Sequence, residues 1–210
     1  MSTPLHVFED RYRTLVRDLL EQPDPTRRLF GIVAIREGYE VGAHEARSMY
    51  RIGCAVQLRQ VRPYDDGRFD IETVGRHRMR VDAVDASGPY LTAEVAELTD
   101  DPPPELTDES LRAAAARALA TFEDYRHLLT ELRGDEVLAG TMPKDPELLS
   151  YSLAASALLS LRERQSLLEA SSAYQRLELV RYRLAEEIRA MQVLPSLPAT
   201  EVARTGWSPN

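Results

Sequence analysis

The stretch that decides the fold reads Ala55-Val56-Gln57-Leu58-Arg59-Gln60-Val61-Arg62, then Tyr64-Asp65-Asp66-Gly67, then Arg68-Phe69-Asp70-Ile71-Glu72-Thr73-Val74. Asp-Gly between two alternating runs predicts a tight hairpin, because the turn needs a positive φ that Gly adopts at no steric cost. Past the turn, Phe69, Ile71 and Thr73 fall on one face and Arg68, Asp70 and Glu72 on the other. That is the pattern of a half-buried antiparallel strand. Two further strands are predicted at His77–Val84 and Tyr90–Leu98, with Gly75 and Gly88-Pro89 marking the turns before them. Strands this close in sequence form an antiparallel meander, which must bury a face or close on itself.

Upstream, Phe8, Tyr12, Leu15 and Leu19 recur at helical spacing, widened by Val16 and Leu20. They predict an amphipathic helix within residues 4–20, ending before Pro23. Leu29–Arg36 is a short apolar run and reads as a buried strand. Glu40–Tyr50 is polar and reads as a loop with one extended piece. Downstream, residues 99–107 are an acidic connector stiffened by Pro102, Pro103 and Pro104. Residues 108–192 then change character. Leu111, Ala115, Ala118, Phe122, Tyr125, Leu129 and Leu132 step by threes and fours along one long helix, capped at Thr107-Asp108 and stopped at Gly134. Asp145-Pro146 opens a second helix, and capping boxes at Ser160/Glu163 and Ser172/Gln175 open two more. Residues 193–210 hold Pro195, Pro198 and Pro209 without a stripe and are expected to be a disordered tail.

Composition limits the chemistry. With 26 Lys and Arg against 34 Asp and Glu, the net charge is −8, which disfavours nucleic acid and anionic membranes as partners. Arg76, Arg78 and Arg80 alternate along one predicted strand and are the one candidate polyanion face; a solvated sheet face is the plainer reading. No window approaches the roughly 18 apolar residues of a membrane span, and the N-terminus lacks a signal pattern, so a cytoplasmic location is expected. Cys54 is the only cysteine and the four histidines are scattered, so neither a disulfide nor a metal site is expected, and no cofactor. No phosphate-binding loop occurs, and Lys144 is the only lysine available to a Ser–Lys dyad. Cys54 and His77 read as a small buried apolar residue and a solvated histidine. No catalytic residue is assigned, and the chain reads as a non-enzyme.

Three motifs in order, Pro4-Leu5-His6-Val7-Phe8-Glu9 with Arg11-Tyr12, Phe30-Gly31-Ile32-Val33 with Ile35-Arg36-Glu37-Gly38, and Gly67-Arg68-Phe69-Asp70 with Val74-Gly75-Arg76 and Arg78, resemble the Lon protease amino-terminal, substrate-binding domain. Asp145-Pro146 and Ser160–Glu169 resemble its helical part more loosely. The resemblance implies an α+β chain: an antiparallel PUA-like β pseudo-barrel with a flanking helix over residues 1–98, followed by an all-α helical subdomain. It implies a stand-alone, non-catalytic module that binds unfolded or degron-bearing polypeptides, acting as adaptor to a partner protease. Candidate contact residues are Phe8, Tyr12, Met49, Tyr50, Tyr64 and Phe69; core is the plainer reading of each, and Tyr50 and Tyr64, at strand ends among polar neighbours, are the foremost candidates. His6 is expected to be a satisfied structural histidine in the company of Glu9 and Arg11. The alternative is an RNA-binding PUA-like module using Arg76, Arg78 and Arg80. Family members usually begin with a further strand, whereas this sequence starts almost on the Pro4 motif, so either the start lies upstream or the sheet has an unfilled edge. A strand-encoding extension is expected to raise Tm, and a homodimer could form through an open edge or through the long helix.

Overall fold

A computed structural model of the chain describes residues 2–36, 49–133, 138 and 140–193. The expected loop at 40–50 lies outside these residues as far as 48, as do Gly134 and the tail from 194 onward. The chain divides into two compact units, Met1–Thr99 and Asp100–Asn210.

The first unit is a curled antiparallel sheet with one helix. Its elements are β1 (Ser2–Val7), α1 (Asp10–Glu21), a 3-10 turn at Pro25–Arg27, β2 (Leu29–Ile32), β3 (Ile52–Pro63), β4 (Phe69–Asp85) and β5 (Thr92–Leu98). The sheet order is β1-β4-β3-β2, with β5 also on β4. β1 covers the first part of β4, from Ser2↔Val74 to Val7↔Phe69, and β5 covers the rest, from Arg78↔Leu98 to Asp85↔Thr92. The β3–β4 hairpin turns where Asp-Gly requires it: Gly67 has φ 83° and its N–H donates to the Tyr64 carbonyl at 2.9 Å. Arg13 of α1 caps this turn, donating to the Gly67 carbonyl at 2.8 Å and the Asp66 carbonyl at 3.2 Å.

Four expectations change. Gly75 is not a turn: β4 runs through it for 17 residues, and the register passes from Ala55↔His77 to Val56↔Gly75. A lone Gly between strand formers is absorbed as a bulge, which bends the strand instead of reversing it. β2 is not buried; it ends the sheet, with Leu29 41 % and Ile32 37 % exposed. Residues 2–7 are a strand rather than part of a helix, and Pro4 is tolerated because β1 ends the sheet on the other side. Phe8 then continues the strand's alternation instead of starting a helical stripe, because Glu9, the N-cap, is still extended at φ −73° and ψ 140°. Leu5 and Val7 point into the core with Tyr12, Leu15, Val16, Leu19, Leu58, Phe69 and Ile71. His6 and Phe8 take the other face.

The second unit contains α2 (Asp108–Arg133), α3 (Pro146–Ser156), α4 (Leu161–Glu169) and α5 (Ala173–Val193). The α2 stripe packs inside its own bundle against α5: Ala118, Phe122, Tyr125, Leu129, Leu177, Val180 and Leu184 share one core. Asp145 accepts from the Leu148 N–H at 2.9 Å, and the Ser160/Glu163 box closes in both directions. At α5 the Ser172 hydroxyl accepts from Gln175 N–H, but the Gln175 side chain reaches back to the N–H of Ser171. Inside this unit Arg176 is fully buried. It donates to Asp100 at 2.9 Å and to the Ser150 hydroxyl at 3.0 Å, and stacks 3.8 Å over the Tyr151 ring. The acidic connector is thus tied to α5 by a buried ion pair.

Candidate functional site

The outward face of β1 and the start of β4 carry an aromatic and polar cluster. The register His6↔Asp70 sets these two side chains opposite each other, and His6 Nδ1 lies 2.6 Å from Asp70 Oδ1. A carboxylate can only accept, so Nδ1 donates, and Nε2 accepts from Arg68 at 3.5 Å. The Tyr64 hydroxyl donates to the other Asp70 oxygen in a very short bond. Both oxygens of Asp70 are therefore engaged. The His6 bond first, and the Tyr64 bond second, hold the Asp70 carboxyl below the usual carboxylate range. The same bond pushes the Tyr64 phenol up.

Rings and guanidinium groups surround this bond network. His6 stacks on Phe8 at 6.2 Å and meets Tyr64 edge-on at 5.9 Å. Arg62 and Arg68 lie 5.7 and 5.6 Å from the Tyr64 ring centre. At 61 %, Phe8 is the most exposed large apolar side chain of this unit among the described residues. An exposed Phe held against a fixed imidazole is a preordered apolar contact, since little side-chain freedom remains to be lost on binding.

The six residues singled out from the sequence fall into three groups. Phe8 and Tyr64 meet through His6. Tyr12 and Phe69 belong to the core beneath α1. Met49 and Tyr50 are half-buried beyond β2, where Met49 bridges to Ile35 and the Tyr50 N–H donates to the Ala34 carbonyl at 2.9 Å. Glu9 and Arg11 pair with each other at 3.0 Å, and the partner His6 takes instead is Asp70. The β1–β4 register brings those two together across 64 positions of chain, and no local pattern signals it.

Arg76, Arg78 and Arg80 do not form one exposed face. Arg78 is buried and donates to the Thr99 carbonyl at 3.4 Å. Arg76 bonds to the buried Gln57 side chain, and Arg80 is paired with Asp82 at 2.7 Å. Arg78 and Met79 are both buried although adjacent in regular register with β3 and β5, so both faces of the sheet are covered at this point. β2 offers a second surface: among the described residues it pairs with β3 on one side and with no strand on the other. No helix among the described residues is long and apolar enough to cross a membrane.

Comparison with known proteins agrees with this architecture. The chain is 25 % identical to Lon protease 2 of Herpetosiphon aurantiacus over 193 residues, which are 92 % of this chain and 23 % of that protein. It is 25 % identical to the Lon protease of Escherichia coli K12 over 145 residues, 69 % of this chain and 18 % of that protein. It thus spans about a fifth of the length of these relatives. Among solved structures, a Lon N-terminal domain protein from Xanthomonas campestris superposes with a TM-score of 0.55 at 24 % identity, over 94 % of this chain and 90 % of that one. The N-terminal domain of Lon protease from the Mycobacterium avium complex gives 0.54 at 18 % identity, over 88 % and 90 %. The family model described as the ATP-dependent protease La (LON) substrate-binding domain matches residues 1–186. With the half-barrel, its flanking helix and all of the helical unit's helices but the end of α5 falling within that match, the chain belongs to the Lon substrate-binding domain family.

Proposed function

We propose that this chain is a non-catalytic polypeptide-recognition module that presents unfolded or degron-bearing clients to a protease. The observation that carries this reading is Phe8, an aromatic residue left 61 % exposed on a folded sheet and held in place by His6. Isolated exposed apolar residues are ordinary, but here the ring belongs to a cluster with Tyr64 and two arginines, a composition enriched at protein-binding hot spots. The edge of β2, which bears Leu29 and Ile32 and pairs with no further strand among the described residues, supplies the second element such a module uses, backbone groups able to pair with an extended chain. The same edge is where a second copy would add if the chain dimerises. The chemistry here is contact rather than turnover.

The test is capture of a casein-like unfolded client by the purified chain, with and without ATP. Binding independent of nucleotide is expected. Absence of binding to any unfolded polypeptide would overturn the reading.

A further inference from the structure

We infer that Asp70 is a positioning residue for client binding, which fixes the rings of His6 and Tyr64, and through His6 the exposed Phe8, without itself meeting the client; this rests on the recognition function proposed above. The geometry makes one carboxylate the hub of three segments. Asp70 stands in β4, opposite His6 of β1 on one side and Arg62 of β3 on the other. One of its oxygens accepts from His6 Nδ1 at 2.6 Å, and the other accepts from the hydroxyl of Tyr64, the first residue after β3. The His6 bond first, then the Tyr64 bond, hold the carboxyl low, so both oxygens act as acceptors at neutral pH. Arg62 lies across from Asp70, and Arg68 pairs with Asp66 at 2.7 Å. The charges of the cluster balance, and what it presents outward is rings.

His6 carries this order to Phe8. Residues 6 and 8 share one face of β1, and their rings stack at 6.2 Å with 26° between the planes. Tyr64 flanks His6 edge-on at 5.9 Å. Without the Asp70 carboxylate, Tyr64 loses the bond that selects its orientation, and His6 keeps only its 3.5 Å contact with Arg68. Phe8 then stacks on a ring that turns, and its ordering is deferred to the moment of binding, where it subtracts from affinity.

Asp70→Ala, made alone and together with Phe8→Ser, tests this by anisotropy with fluorescent unfolded casein, at a temperature where thermal unfolding shows every variant folded. Asp70→Ala should bind about threefold more weakly than the wild-type chain, the scale of ordering one further side chain on binding. In the Phe8→Ser background the same change should leave affinity where Phe8→Ser alone sets it, because the ring through which Asp70 acts is gone. A merely structural role would lower Tm in both backgrounds and show no such coupling. Should Asp70→Ala fail to fold, Tyr64→Phe, which removes one of the two bonds, gives the same comparison with a smaller loss. Equal affinity of the wild type and the single variant would overturn the inference, as would the same loss with and without Phe8, which would mean that the carboxylate meets the client itself. If the wild-type chain binds casein and Asp70→Ala binds it equally well, recognition stands and the positioning role falls; if the wild-type chain binds no casein, the recognition reading fails first.

Discussion

The two units of this chain meet the demands of burial in different ways. In Asp100–Asn210, helices close around one core, and Phe122, Tyr125, Leu129, Leu153, Leu177 and Leu184 are at most 1 % exposed. In Met1–Thr99, one helix covers a smaller core, and Phe8, Leu29, Ile32 and Val95 stay in solvent. A helix pairs its own backbone, so packing its stripe completes it; an open sheet is left with edges and a second face. Sheet edges are therefore a feature of the β unit, whereas exposed apolar side chains occur in both, with Leu148, Leu161, Tyr182 and Val193 in the helical unit.

Substitutions can sharpen or break that contrast. The largest effect should come from Arg176→Ala, which leaves Asp100 without its buried partner and Ser150 without a donor; about 4 kcal/mol of stability should be lost in urea unfolding. Leu129→Ala removes a fully buried side chain from the same core and should cost about 3 kcal/mol. For both, client affinity of the folded fraction should be unchanged. A large affinity loss would show that the helical unit contributes to the binding surface.

In the β unit the effects should be smaller. Gly67→Ala forces a side chain onto φ 83° and against the Arg13 guanidinium, which should lower stability by about 1.5 kcal/mol. Asp70, with its carboxyl lowered by His6 and Tyr64, contributes stability that is complete above the ordinary carboxylate range and lost as pH falls through the lowered value. Asp70→Asn should therefore lower Tm at neutral pH and flatten the decline seen below about pH 4. Glu187 in α5 has the opposite sign: burial, then the charges of Glu163 and Glu186, hold its carboxyl above the usual range. That cost is present above the raised value and fades toward the ordinary one. Glu187→Gln should raise Tm slightly at pH 7, with the gain gone below about pH 4.

The helical unit was the more legible in sequence, because its signals are local. The α2 stripe, the Asp145-Pro146 start and the Ser160/Glu163 box all lie within a few residues of the structure they specify. The hairpin at Asp66-Gly67 was legible for the same reason. Gly75 was misleading because a glycine in a strand marks a bulge as readily as a turn, and only the partner strand decides. β2 looked buried because an apolar run reads alike in the middle of a sheet and at its end. The pairing of His6 with Asp70 depends on a register set by distant residues, and so did the exposure of Phe8.

The most direct test of the account is the affinity of fluorescently labelled unfolded casein for the wild-type chain and for Phe8→Ser, measured by anisotropy alongside thermal unfolding. The account predicts about tenfold weaker binding, the cost of losing one hot-spot aromatic, with Tm unchanged because the ring lies outside the core. Equal affinity for the two proteins would contradict it.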